Sequence, residues 1–144
     1  MITIDTRNKE HYKEYLELQK KGVDKKIIDK SDGYTWLVDE KYYKQSLTYD
    51  SCIYLEIESH KKTGWLFDEY KETTTLCFIY LDALVLVDYK ELRDKVLYYY
   101  DYLVDKYGIK NNKYNQGAFI PMLVSELDIL KIEYEIVYFN DYKQ

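Results

Sequence analysis

Gly22-Val23-Asp24-Lys25-Lys26-Ile27-Ile28-Asp29-Lys30-Ser31-Asp32-Gly33-Tyr34-Thr35-Trp36-Leu37-Val38-Asp39-Glu40-Lys41 is the stretch that decides how this chain reads. Ser31-Asp32-Gly33 is a turn signal, because Asp bonds its own backbone and Gly accepts positive φ without strain. The flanking runs, Val23 to Lys30 and Tyr34 to Tyr43, are rich in β-branched and aromatic residues and predict two strands. A hairpin then brings Asp24 and Asp39 nearly opposite one another, with Cβ atoms about 5 Å apart. In a strand, residues i and i+2 share a face. Asp39 and Lys41 therefore project together, and Glu40 points the other way.

Working outward, Thr6 to Lys21 predicts a helix. Tyr12, Tyr15, Leu16 and Gln19 share one face, Thr6 is an N-cap and Gly22 ends the helix. Downstream, Ser51 to Ser59 predicts a third strand and His60-Lys61-Lys62-Thr63-Gly64 a loop. Thr75 to Leu81 and Leu84 to Asp88 predict two more strands joined tightly at Asp82-Ala83. A second helix is expected over Lys90 to Tyr107, stopped by Gly108, and Lys110 to Gly117 reads as a polar loop. Short strand and short helix follow around Phe119-Ile120-Pro121 and Ser125 to Leu130. Tyr98-Tyr99-Tyr100 cannot all be buried, since three consecutive helical residues span most of the circumference. The order predicts one α/β or α+β domain over residues 1–144, with a helix on each side of a central sheet.

Composition sets bounds. At 144 residues the chain is long enough to bury a core without staples, and 47% hydrophobic residues exclude a disordered class. The 19 Tyr read first as a preference for Tyr over Phe and Leu. Cys52 and Cys77 lie in apolar strand-like runs with no zinc spacing, as core thiols of a reducing compartment do. No run is long and apolar enough for a membrane span, and the polar start, Met1 to Glu10, lacks the apolar stretch of a secretory signal. The expected location is cytoplasmic. The net charge of -5 argues against a broad nucleic-acid footprint, which is normally basic.

Asp24, Asp39 and Lys41 nevertheless suit phosphodiester cleavage. Mg²⁺ binds through a few carboxylate oxygens and keeps several waters. It acidifies a bound water and screens developing negative charge. Lys41, beside Asp39, can orient the attacking water or stabilise charge in the transition state. The backbone carbonyl of Glu40 is a further donor. Lys20, Lys21, Lys25, Lys26 and Lys30 make a local basic run and Lys61 and Lys62 a second, both candidate phosphate contacts. A plainer reading stands beside each. Lys runs are usually solvated faces, and an exposed Asp39–Lys41 pair would contribute little. Trp36 and Trp65 suit a core better than a stacking platform.

Gln19-Lys20-Lys21, Gly22-Val23-Asp24, the hairpin and Val38-Asp39-Glu40-Lys41 together resemble the PD-(D/E)xK nuclease superfamily, especially small phage-encoded and restriction-like members. Leu55-Glu56-Ile57-Glu58-Ser59 and Gly64-Trp65-Leu66 extend the likeness, which runs from about Tyr12 to Pro121. Val23 stands where the family name has Pro. The resemblance implies a restriction-endonuclease-like mixed sheet of about 4–6 strands. It implies a Mg²⁺- or Mn²⁺-dependent deoxyribonuclease with Asp24 and Asp39 as metal ligands and Lys41 as catalytic cation. The family's helix usually adds an acid; Glu14 and Glu17 both qualify, and Glu14 is preferred. Glu56 is a possible outer-shell acid. DNA is the expected partner, and a homodimer would allow two strands to be cut. The alternative is a catalytically inactive relative, a binding or inhibitory module that blocks a host nucleic-acid enzyme with its acidic, Tyr-rich surface.

Overall fold

The computed structural model describes residues 2–5 (backbone only), 23–28, 31–60, 62–68, 72–113 and 117–139. The expected first helix, with Glu14, Glu17, Lys20 and Lys21, lies outside the described residues, as do Lys30 and Lys61. In chain order the elements are β1 (Ile2–Asp5), β2 (Lys25–Ile28), β3 (Thr35–Tyr42), β4 (Cys52–Ser59), β5 (Lys62–Thr63), β6 (Thr75–Ile79), β7 (Ala83–Asp88), α1 (Tyr89–Tyr98), α2 (Tyr100–Tyr107), β8 (Lys110–Asn112), β9 (Gly117–Leu123), α3 (Glu126–Ile129) and β10 (Tyr134–Tyr138).

The hairpin forms as expected. Lys25 pairs with Val38 and Ile28 with Thr35 in an antiparallel ladder. Gly33 takes a φ of 74° at the turn, and the Tyr34 N–H donates to Asp32 Oδ1 at 2.8 Å. This hairpin supplies two strands of a mixed six-stranded sheet, ordered β1-β2-β3-β6-β7-β10. Among the described strands only the β3–β6 pairing is parallel, and the connection between those strands carries the second sheet's β4 and β5. β6 lies between two neighbours, and its Leu76, Cys77 and Phe78 are buried although successive residues face opposite sides.

The second sheet, ordered β5-β4-β9-β8, was not foreseen. The segment expected as a polar loop contributes β8, with Lys110 opposite Phe119 and Asn112 opposite Gly117. A sheet edge needs no apolar face, so Lys-Asn-Asn pairs there without a sequence signature. β10 likewise has no counterpart among the predicted elements. The chain is an α+β protein with two sheets.

One helix was expected over Lys90 to Tyr107; two occur, hinged at Tyr99, whose φ and ψ are -100° and 23°. The ladder survives the bend: the Tyr99 N–H donates to Lys95 and the Leu103 N–H to the Tyr99 carbonyl, both at 2.9 Å. The tyrosine triplet diverges here. Tyr98 is 80% exposed, whereas Tyr100 packs towards the core against Phe67. Asp88 caps α1 by accepting the Glu91 N–H at 2.8 Å, and Gly108 ends α2 with a φ of 73°.

A single core joins the inner faces of both sheets to the described helices: Leu76, Phe78, Val85 and Val87 meet Ile53, Leu55, Ile120 and Met122, with Leu92, Val96, Leu103 and Leu127. Tyrosine hydroxyls tie the layers. Tyr80, after β6, donates to the Cys52 carbonyl at 2.8 Å; Tyr43, after β3, accepts the Tyr54 N–H at 3.0 Å; Tyr89 donates to the Leu66 carbonyl at 2.7 Å. A phenol buries a large ring and still satisfies a backbone group at a sheet junction. Burial pushes all three phenols above their ordinary pKa, so they stay protonated in their ties.

Candidate functional site

Asp24 lies just before β2 and brackets Asp39. Its N–H donates to the Val38 carbonyl, and its Oδ2 accepts the Glu40 N–H, both at 2.8 Å. The carboxylate thus takes the place of a backbone acceptor where β2 begins, keeping a half-buried N–H satisfied.

Asp39 is buried at 4% exposure, and its Oδ2 lies 3.1 Å from Lys41 Nζ. Strand parity puts both side chains on the inner face of β3. The Lys41 ammonium also sits 5.1 Å from the centroid of the Trp65 ring, within cation–π range. Glu40 faces the other way. Its Oε2 accepts Lys25 Nζ at 3.0 Å and its Oε1 the Tyr42 hydroxyl at 3.2 Å. The Glu40 side chain is thus tied to Lys25 and Tyr42, its N–H serves Asp24, and the residue also lines a cleft beside Lys41.

A cleft of about 650 Å³ opens beside Lys41, where the C-terminal end of β3 meets the face of the second sheet that carries Tyr54, Glu56 and Phe119. Glu56 stands across this cleft from β3, its Oε1 3.4 Å from the Trp65 N–H. Gly64 holds this wall in place. A Cβ there would lie 2.4 Å from the Glu56 carbonyl oxygen and 2.8 Å from the Glu58 nitrogen. The close approach coincides with a bulge in β4 between Glu56 and Glu58, and Gly64 donates its N–H to Ile57 at 3.0 Å.

The structure thus pairs Asp39 with Lys41, sets Asp24 against the backbone on either side of Asp39, and places Glu56 in the lining of the cleft beside Lys41. The described basic residues do not form one rim. Lys25 turns outward to Glu40, Lys26 sits opposite Leu37, and Lys62 is exposed on β5 at the edge of the other sheet. Sequence reasoning missed Tyr54, Phe119, Asn111, Asn112 and Lys113, which line the same cleft. The alternation Tyr54-Glu56-Glu58 in β4 was the available signal. Nothing in the polar run from Lys110 announced that it lines the cleft beside Lys41.

Among the described residues, no three Asp, Glu, His or Cys side chains gather around one point. A Mg²⁺ site does not require that. One or two carboxylates, waters and a substrate phosphate suffice. By donor type Asp24 and Asp39 suit Mg²⁺, and Mn²⁺ shares the preference for oxygen; Asp39 is buried, and the cleft beside Lys41 is lined by neither carboxylate.

No family model, no curated protein and no solved structure matches the chain.

Proposed function

We propose that the protein is a divalent-metal-dependent nuclease of the PD-(D/E)xK type, with a restriction-endonuclease-like core, hydrolysing phosphodiester bonds of DNA. The observation that carries this reading is Asp24 bracketing Asp39 while Lys41 shares the inner face of β3 beside an open cleft. Mg²⁺ or Mn²⁺, when bound by Asp24 and Asp39, would supply an acidified water and charge neutralisation. The chain's own residues do the rest. Asp39, held 3.1 Å from Lys41, fixes the direction of the ammonium. Lys41, with 28% of its side chain exposed, reaches the cleft and would orient a phosphate oxygen or the attacking water. The face of Trp65 shields one side of that ammonium from water.

The test is cleavage of labelled single-stranded, duplex and branched DNA by purified protein. We expect cutting with Mg²⁺ or Mn²⁺ and none in EDTA. Asp39→Asn and Lys41→Met should each lose about 100-fold or more in rate while keeping the wild-type circular dichroism. Absence of divalent-dependent cutting by the wild type on all three substrates removes the proposal.

A second reading draws on the partners these residues already have. Asp24 serves the Glu40 N–H, and Lys41 serves Asp39 and Trp65. With a net charge of -5, the same framework suits a non-catalytic module docking on another protein's basic surface. Calorimetric titration with Mn²⁺ separates the two: heat of binding that disappears in Asp39→Asn favours the nuclease, and no heat together with no DNA shift at low salt favours the module.

A further inference from the structure

The cleft beside Lys41 has a composition that phosphodiester hydrolysis does not need. Its volume of about 650 Å³ falls within the range of small-molecule sites, about 300–1,000 Å³. Its walls are aromatic. Tyr54 and Phe119 form a tilted pair with ring centroids 5.0 Å apart, Tyr54 is 43% exposed, and Trp65 also lines the cleft. Two carboxylates, Glu56 and Glu58, lie in the same wall, set by the β4 bulge against Gly64. Lys41 stands at one side and Lys113 at another, and Asn112 adds an amide.

Each wall constrains the occupant. Flat aromatic faces hold a flat ring by stacking, whatever its identity. Carboxylates accept hydrogen bonds and donate none when ionised, so they select a ring edge that presents N–H groups. Carboxylates read the amino group of cytosine in this way. Guanine offers an amino group and an adjacent ring N–H, matching both oxygens of one carboxylate. Thymine presents carbonyl oxygens beside its single ring N–H, which two carboxylates oppose. The lysines supply the positive charge that an attached phosphate requires, and offset the repulsion from Glu56 and Glu58.

We propose that this cleft is a recognition site for one unpaired nucleobase bearing an amino group, guanine above the others, with its phosphate directed to Lys41 and Lys113. The inference rests on the nucleic-acid reading of the Asp24–Asp39–Lys41 centre and names which nucleotide that centre would meet. The base sits in the cleft while its phosphate lies beside Lys41. A nucleotide within an intact duplex cannot present its pairing edge in this way, so the site favours single-stranded, looped or flipped substrate.

The experiment is a fluorescence titration of the full chain with dGMP, dCMP and dTMP in EDTA, using Trp36→Phe so that Trp65 alone reports. We expect saturable quenching, with dGMP at least about 10-fold tighter than dTMP. Glu56→Gln, which adds a donor to that wall, should narrow the gap to about 3-fold or less. Phe119→Leu, which keeps apolar bulk and removes the π face, should weaken all three nucleotides by about 10-fold. Equal affinity for dGMP and dTMP, or no saturation at millimolar nucleotide in a folded protein, overturns the proposal. Nuclease and base site fail separately. Discrimination between nucleotides in a chain that never cuts DNA removes only the hydrolysis. Cutting that depends on Asp39, without nucleotide discrimination, removes only the base site.

Discussion

Asp24 has a structural bond and, on the proposed nuclease reading, a metal-binding role, and one substitution can separate the two. Its carboxylate satisfies the Glu40 N–H at 2.8 Å, and the nuclease reading adds a divalent cation shared with Asp39. Asparagine keeps an oxygen acceptor of nearly the same shape but not the charge. Asp24→Asn should therefore retain wild-type denaturant stability and lose metal-dependent cleavage. Asp24→Ala leaves the N–H without its acceptor and should also lose about 1–3 kcal/mol. Equal stability losses in the two variants would mean that charge, not the hydrogen bond, supports the fold at this position. Lys41 is similarly shared. Asp39 holds it at 3.1 Å and Trp65 lies beneath it, so its reach into the cleft is set by two neighbours, one of which the sequence placed.

At the level of elements, the bulge in β4 and the Gly64 turn act as one device. Gly64 is needed because its Cα approaches the β4 backbone so closely that a Cβ would lie 2.6 Å from the Glu56 carbonyl carbon. Backbone cannot swing aside as a side chain can. Gly64→Ala should cost about 1–3 kcal/mol or more in equilibrium unfolding, and it should displace Trp65 and Glu56 from the cleft. A shifted Trp65 emission maximum in the native state reads the second effect independently of the first. An Ala variant with wild-type stability and emission would show that this turn opens without consequence. The tyrosine ties belong to the same scale. Tyr43, Tyr80 and Tyr89 each join one layer to another through a hydroxyl, so part of the tyrosine content has a structural use beyond the residue preference that composition suggested.

For the whole molecule, Glu126 is expected to contribute to the acid limb of stability. This residue begins a short helix yet is fully buried, accepting Lys106 Nζ at 2.7 Å, the Tyr107 hydroxyl at 2.6 Å and the Tyr102 hydroxyl at 3.3 Å. Burial alone would raise its pKa. The hydrogen bonds from Lys106, Tyr107 and Tyr102 outweigh burial and hold it below the ordinary carboxylate range. A depressed folded-state pKa adds stability that is complete above the unfolded value, about 4.3, and lost as pH falls through the folded one. Tyr107 has the opposite sign. Burial and then the bond to Glu126 raise it to about 12, so its contribution is complete below about 10 and is lost as pH rises through about 12. Glu126→Gln should lower stability at neutral pH by about 1.5–3 kcal/mol and flatten the acid limb, measured by urea unfolding between pH 3 and 7. An acid limb as steep as that of the wild type would assign acid unfolding to other carboxylates.

The sequence by itself determined the local structure of the hairpin and the side on which its chemistry lies. Turn residues at 31–33 and period-two strand geometry are properties of neighbouring residues, so Asp39 and Lys41 sharing a face, with Glu40 opposed, could be read before any contact was known. The central β6–β7 pair and the helix stop at Gly108 were legible for the same reason, whereas the Asp88 cap was not read. Only the tertiary structure decided the rest. The second sheet needs Lys110-Asn111-Asn112 to find β9, a pairing with no local propensity behind it. The hinge at Tyr99 comes where Tyr98 and Tyr100 go to different environments, water for one and the core for the other. Glu56, Trp65, Phe119 and Lys113 reach one cleft with Lys41 from four separate segments. Their convergence is set by how two sheets share a core, and that packing depends on contacts between segments far apart in the chain.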